Sequence, residues 1–144
     1  MTITVPLRII DLHEDGYHLL LEIRVYDAPF TVVLDTGASK TAFDKDLLQV
    51  HEQALIQSSD KLSTGLGTND MQSFTATIPE LCIGELTVKN IEVAVLDLSA
   101  INLAYAQMNH PQVLGVIGGD ILTRYKAVID YGKKELKFKV RQTK

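Results

Sequence analysis

The stretch "TVVLDTGASKTAFD", residues 31–44, runs through the apolar Val32, Val33 and Leu34 and then sets an acid, Asp35, at its end. The four residues that follow, Thr36, Gly37, Ala38 and Ser39, are all small. A carboxylate left so open can trade protons with whatever is brought close to it. The ordinary reading of an aspartate at a strand end is a turn former or a helix cap. Other candidates for chemistry are weaker. His13, His18, His51 and His110 are scattered, with no pair at the i, i+4 spacing of a helical metal site. His13, Glu14 and His18 flank a turn and read as a solvated strand end. "GVIGGD", residues 115–120, is glycine-rich, but it is neither a dinucleotide fingerprint nor a phosphate-binding loop with its Lys-Ser/Thr.

The elements that must position Asp35 are short and alternate in polarity. Leu19, Leu21, Ile23 and Val25 fall on one face at period two, opposite His18, Glu22 and Arg24, which predicts a half-buried strand. The pattern predicts strands over 2–11, 17–26 and 30–35, then a short helix after Asp44 as N-cap. Residues 59–78 predict two strands around "STGLGTND", a Gly-rich hairpin tip. "LCIGELTVKNIEVAVLDL" continues as strands, with turns at Gly84 and at Lys89-Asn90 and with Cys82 as a small buried residue. Ser99 is a possible cap for a helix that Pro111 stops. A strand, the pair Gly118-Gly119, a short helix capped by Asp120 and a closing hairpin turning at Gly132-Lys133 complete the chain. "VVLDTGASKTAFD" and "VLGVIGGDILTRY" share a sketch of strand, glycine turn and helix, and the second copy lacks the aspartate.

Composition sets the outer limits. The 144 residues, 46% hydrophobic and 22% charged, suit a single mostly-β domain over 1–144 with its own core. A net charge of −4 argues against nucleic acid as a partner. No apolar run approaches the ~18 residues of a membrane span. The N-terminus lacks the features of a signal peptide, so the expected location is cytoplasmic. Cys82 is the only cysteine, which excludes an intrachain disulfide.

Asp35-Thr36-Gly37 after an apolar run resembles the active-site signature of the aspartic proteases, and Ala38 makes it most similar to their retropepsin branch. The order of later elements supports the resemblance. "STGLGTND" starts 28 residues after Asp35, where that family has a flap hairpin, and Val116-Ile117-Gly118 leads into a helix. The resemblance runs from about residue 17 to 140 and is strongest to bacterial retropepsin-like proteins. It implies an all-β half-barrel with two or three short helices, one lobe per subunit.

The resemblance also implies an activity. Peptide hydrolysis by acid–base catalysis needs one group to take a proton from water and another to protonate the amide. Two carboxylates a few ångström apart serve, because like charges that close share one proton. With one Asp-Thr-Gly in the chain, the second Asp35 comes from a second copy in a homodimer. Asp35, Thr36 and Gly37 take the catalytic loop, while Ala38, Gly65, Leu66, Gly67, Ile117 and Gly118 face a peptide or protein substrate, with Val32 as a further pocket wall. No metal or other cofactor is implied. Ala38 puts no hydroxyl beside the outer carboxylate oxygen, which implies an optimum at weakly rather than strongly acidic pH.

Viral enzymes carry an Asp four residues after the catalytic one and an Arg after the later glycine; this chain has Ser39 and Gly119, leaving Asp120 and Arg124 as a different brace. Segment 97–112 has no viral counterpart, and is open to covering the cleft, widening the dimer interface or capping the barrel. The alternative function is a non-catalytic peptide-binding or dimerisation module on the same fold.

Overall fold

Pro6 splits the first apolar run. Where the sequence predicts one strand over 2–11, the computed structural model, which describes residues 1–50, 56–59 and 73–141, has two. β1 (Thr2–Pro6) and β2 (Arg8–Asp11) belong to different sheets. Pro6 has no N–H to extend a ladder, and Leu7 turns into the core with its N–H bonded to the Lys134 carbonyl at 2.8 Å.

β3 (Tyr17–Val25) and β4 (Ala28–Leu34) form a hairpin through Tyr26 and Asp27, both with positive φ (54° and 58°). Such mirror-image turns match the twist of the strands they join. In its register, Leu19↔Leu34 and Leu21↔Val32 alternate with Leu20↔Val33. The first two pairs enter the main core with Ile23 and Val25; Leu20 and Val33 enter a smaller cluster on the other face.

β5 (Ala42–Asp44) leads into α1 (Lys45–Gln49), capped by Asp44 as the sequence predicts. Asp44 is buried because it serves twice: Oδ2 accepts from Leu47 N–H at 3.1 Å and Oδ1 from Leu98 N–H at 2.8 Å. β6 (Ile56–Ser59) pairs with the start of β7 (Ser73–Ile83). The expected hairpin tip, including Gly65, Leu66 and Gly67, lies outside the described residues.

β8 (Leu86–Leu96) returns from Gly84 and runs through Lys89-Asn90, so the turn expected there does not exist. Asn90 instead takes a local φ of 52° within the strand. Cys82 is half-buried rather than core, since Leu81 and Ile83 occupy the inward positions of β7 and strand alternation turns Cys82 outward.

Next come α2 (Ser99–Gln107), β9 (Gly115–Ile117), α3 (Gly119–Arg124), β10 (Val128–Asp130) and β11 (Glu135–Lys139). Leu98, not Ser99, stands at the start of α2, where Asp97 accepts from Ser99 N–H at 3.0 Å. Gly118, not Asp120, is the capping position of α3, because the Asp120 carboxylate is drawn back to Thr41.

The sheets have orders β1-β11-β10 and β2-β3-β4-β9-β5-β8-β7-β6. β3 also pairs with β7 through Arg24↔Cys82 and Val25↔Leu81. That second pairing closes β3, β4, β9, β5, β8 and β7 into a barrel around Phe43, Ile78, Leu81, Val93 and Ile117, all fully buried. The fold is mostly β with three short α-helices among the described residues, as the sequence predicts.

Candidate active site

β4 delivers Asp35. Val32, Val33 and Leu34 are buried, and the strand is held on both sides, antiparallel to β3 and parallel to β9. The Asp35 N–H donates to the Ile117 carbonyl at 3.0 Å, so the strand end is fixed where the loop begins. Past this root the chain opens: Asp35 is half-buried, Thr36 and Gly37 are exposed, and Ala38 is half-buried. Gly37 N–H donates to Asp35 Oδ1 at 3.0 Å, and Ala38 N–H to the Asp35 carbonyl at 3.2 Å. The carboxylate thus has one oriented oxygen and remains open to solvent.

A second loop lies directly against the first. The register Leu34↔Ile117, carried one step on, brings Gly118 beside Asp35. A Cβ on Gly118 would stand 2.7 Å from the Lys40 carbonyl carbon and 2.9 Å from the Ala38 carbonyl oxygen, so only glycine permits this stacking. Gly119 N–H donates to the Ala38 carbonyl at 2.7 Å. Thr41, fully buried, joins the two loops: its N–H and Oγ1 donate to Asp120 Oδ1 at 3.0 and 2.8 Å, and Oγ1 accepts from Gly118 N–H at 3.1 Å. Asp120 Oδ1 also accepts from Ile121 N–H at 2.8 Å. The expected Asp120–Arg124 brace does not form within the chain; Arg124 lies over the Tyr125 ring, 5.2 Å from its centroid.

The aspartyl protease family model matches residues 21–121, a span from β3 to α3 that holds both loops. The chain belongs to the aspartyl protease family. Among solved structures, a retropepsin-like aspartic protease from Rickettsia conorii is similar to this family member over 96% of this chain and 90% of its own, at 23% identity and a TM-score of 0.56. The EIAV protease complexed with the inhibitor HBY-793 shares 19% identity over 73% of this chain and 85% of its own, with a TM-score of 0.47. The retroviral protease-like domain of Ddi1 from Leishmania major shares 14% over 80% and 82%, also with a TM-score of 0.47. No curated protein matches. The fold of this family member is retropepsin-like.

The expected site residues among those described divide into two groups. Asp35, Thr36, Gly37 and Ala38 form the open loop, and Gly118 backs it. Ile117 and Val32 are fully buried in the barrel; Ile117 reaches the loop only through its carbonyl. Two further residues escaped sequence reasoning. Tyr105 of α2 is buried, and its hydroxyl is hydrogen-bonded to His18 Nδ1. Burial, and after it the charge of Asp35, raises the Tyr105 phenol above its ordinary value. His18 is thus a partner of α2, not merely a solvated strand end.

Among the described residues, no three His, Cys, Asp or Glu side chains gather as a metal site requires, and no helix is long and apolar enough to cross a membrane.

Proposed function

We propose that this family member is an aspartic endopeptidase that acts as a homodimer, with Asp35 of each copy forming one catalytic pair. The observation that carries the reading is the composition of the two stacked loops. One ends in a half-open carboxylate; the other places Gly118 in the matching position, and its own acid, Asp120, is occupied by Thr41. The chain therefore holds half of a proton-sharing pair, and two-fold symmetry is the simplest source of the other half.

In the assembled site, one carboxylate accepts a proton from water as the water oxygen bonds to the peptide carbonyl carbon. The other, protonated, donates to the carbonyl oxygen. Collapse of the tetrahedral intermediate breaks the C–N bond, with a proton passing to the leaving nitrogen, and yields a carboxylic acid and an amine. Gly37 N–H orients the carboxylate, and Thr36, exposed at the loop tip, faces the partner loop. Ala38 borders the peptide substrate. Ile117 and Gly118 support the catalytic loop from behind.

Cleavage of a peptide library by wild type and Asp35→Asn, with and without pepstatin, tests the reading alongside light scattering for mass. Asp35→Asn keeps the oxygen that accepts from Gly37 and removes the shared proton, so cleavage is expected to fall by at least ~1000-fold. Cleavage that survives the substitution removes the mechanism. A wild type that binds peptides without cutting them makes the protein a binding module instead.

A further inference from the structure

Charge is divided unevenly along this chain. Residues 124–144 hold eight of the 14 Lys and Arg but two of the 18 Asp and Glu. Residues 1–123 keep six basic and 16 acidic side chains. A net charge of −4 therefore hides a basic end on an acidic body.

The fold gathers part of that basic end into one place. The last turn of α3 packs on the end of β11: Lys139 N–H donates to the Tyr125 carbonyl at 2.8 Å, and the Tyr125 ring meets Phe138 edge-on at 6.3 Å. Between the two elements lies an open groove of about 430 Å³, lined by Arg124, Lys126, Lys139, Val140 and Arg141. All four cations are exposed. Among the described residues the ion pair is Lys40–Glu92, so no acid there neutralises any of the four. A basic residue at a helix C-terminus complements the helix dipole, which accounts for Arg124. It does not account for three more cations, which repel one another across the same groove. Lys126 also holds a φ of 49°, a conformation in which glycine would be unstrained.

We propose that this groove docks a short acidic segment of a partner protein, a run of Asp or Glu side chains on an extended peptide. The proposal goes beyond the catalytic reading and does not depend on Asp35. Repeat distance favours a peptide over a single small anion. Leu136 and Phe138 are buried, so Glu135, Lys137 and Lys139 face outward, and Arg141, in the same groove as Lys139, stands two residues on. Successive members of such a row stand about 7 Å apart, the spacing of alternate side chains on an extended peptide. Arg124 and Arg141 add guanidinium forks, which grip carboxylates through paired N–H bonds.

The same row limits the ligand's length. It ends in Glu135, opposite Asp130 on β10, so a broad anionic surface would meet acids there. Charge is screened beyond about 8 Å at physiological salt, so a short segment in the groove senses the cations and little of the acidic body. A nucleic acid or a membrane surface would extend over both.

The test measures binding to the full chain and needs no activity. Isotope-labelled protein is followed by NMR as hexaglutamate or hexaglutamine is added, at about 20 mM salt because exposed ion pairs are individually weak. Hexaglutamate should shift the amide signals of Lys126, Lys139 and Arg141, and hexaglutamine should not. Raising the salt to about 200 mM should weaken binding about fivefold. Lys126→Gln with Lys139→Gln should weaken it about tenfold. Lys133→Gln with Lys134→Gln removes the same charge ahead of β11, at its far end from the groove, and should leave binding within about twofold. These side chains are exposed, so the variants should share the wild-type melting temperature. No shift with hexaglutamate, or an equal loss in both double variants, overturns the proposal. So does tighter binding of oligothymidylate or of phosphatidylserine vesicles than of hexaglutamate, which would make the groove a nucleic-acid or membrane site. A wild type that cuts no peptide counts against the protease reading and changes none of these outcomes.

Discussion

Replacing Thr41 with valine keeps the shape of the side chain and deletes the oxygen that joins the two loops. Two interactions end. The Oγ1–H bond to the Asp120 carboxylate is lost, and the buried Gly118 N–H loses its acceptor. A hydrogen bond to a charged group contributes about 1.5–3 kcal/mol and an orphaned buried donor costs about 1–3. Valine regains some of this through its added methyl, which leaves an expected loss of about 3 kcal/mol. For a chain of this length that lowers Tm by about 10 °C.

Thr41→Ser is the control, since it keeps the oxygen and gives up one buried methyl, at about 1 kcal/mol. Urea unfolding of the three proteins at one fixed concentration gives the comparison, because association would otherwise shift the midpoints. The variants should share the wild-type slope. Valine no less stable than serine would refute the brace. It would also remove the reason given for Asp120 being unable to serve as a second catalytic acid.

Three further outcomes follow from the same structure. A Cβ at Gly115 would lie 1.9 Å from the Ala42 carbonyl oxygen, whereas at Gly119 its nearest contact is 3.4 Å. Gly115→Ala should therefore destabilise by more than about 4 kcal/mol or abolish soluble expression, and Gly119→Ala should change stability by less than about 1; the reverse order in urea unfolding would refute the packing. Asp97 is held below its ordinary value by the side-chain and backbone hydrogen bonds of Ser99. A depressed folded value makes its contribution present above about pH 3.8 and lost as pH falls through the folded value, so the stability gap between wild type and Asp97→Ala should shrink at pH 2.5 relative to pH 6. An equal gap at both would show that the charge plays no part.

What the sequence made legible was local. Leu19, Leu21, Ile23 and Val25 announced β3 because their period is that of a strand with one buried face. Asp44 announced α1 because a cap and its helix are neighbours in the chain. Errors arose where a local signal met a competing demand. Pro6 interrupted a run that hydrophobicity alone would continue, and Lys89-Asn90 resembled a turn although the long β7–β8 ladder carries the strand through it. Asp120 had the look of a cap, but Thr41, 79 residues away, offered its carboxylate two donors. His18 and Tyr105 are separated by 87 residues, and neither has a neighbour that hints at the other. Contacts of this kind depend on which strands lie side by side, and the spacing of a single sequence does not encode that in readable form.

The faint echo between "VVLDTGASKTAFD" and "VLGVIGGDILTRY" is the instructive middle case. As text it is a shared rhythm; in the fold its two strands become parallel neighbours, Val32↔Gly115 to Leu34↔Ile117, and the loops that follow them stack. Side-by-side strands of this kind set the following residues side by side too, which is how a chain could place two acids together. Here one position holds Asp35 and the other Gly118, and the backbone around Gly118 leaves no room even for a Cβ. A carboxylate there would push apart the loop that holds Asp35 in place. The close packing that fixes the first acid thus excludes a second at position 118, the place that the parallel strands set beside it.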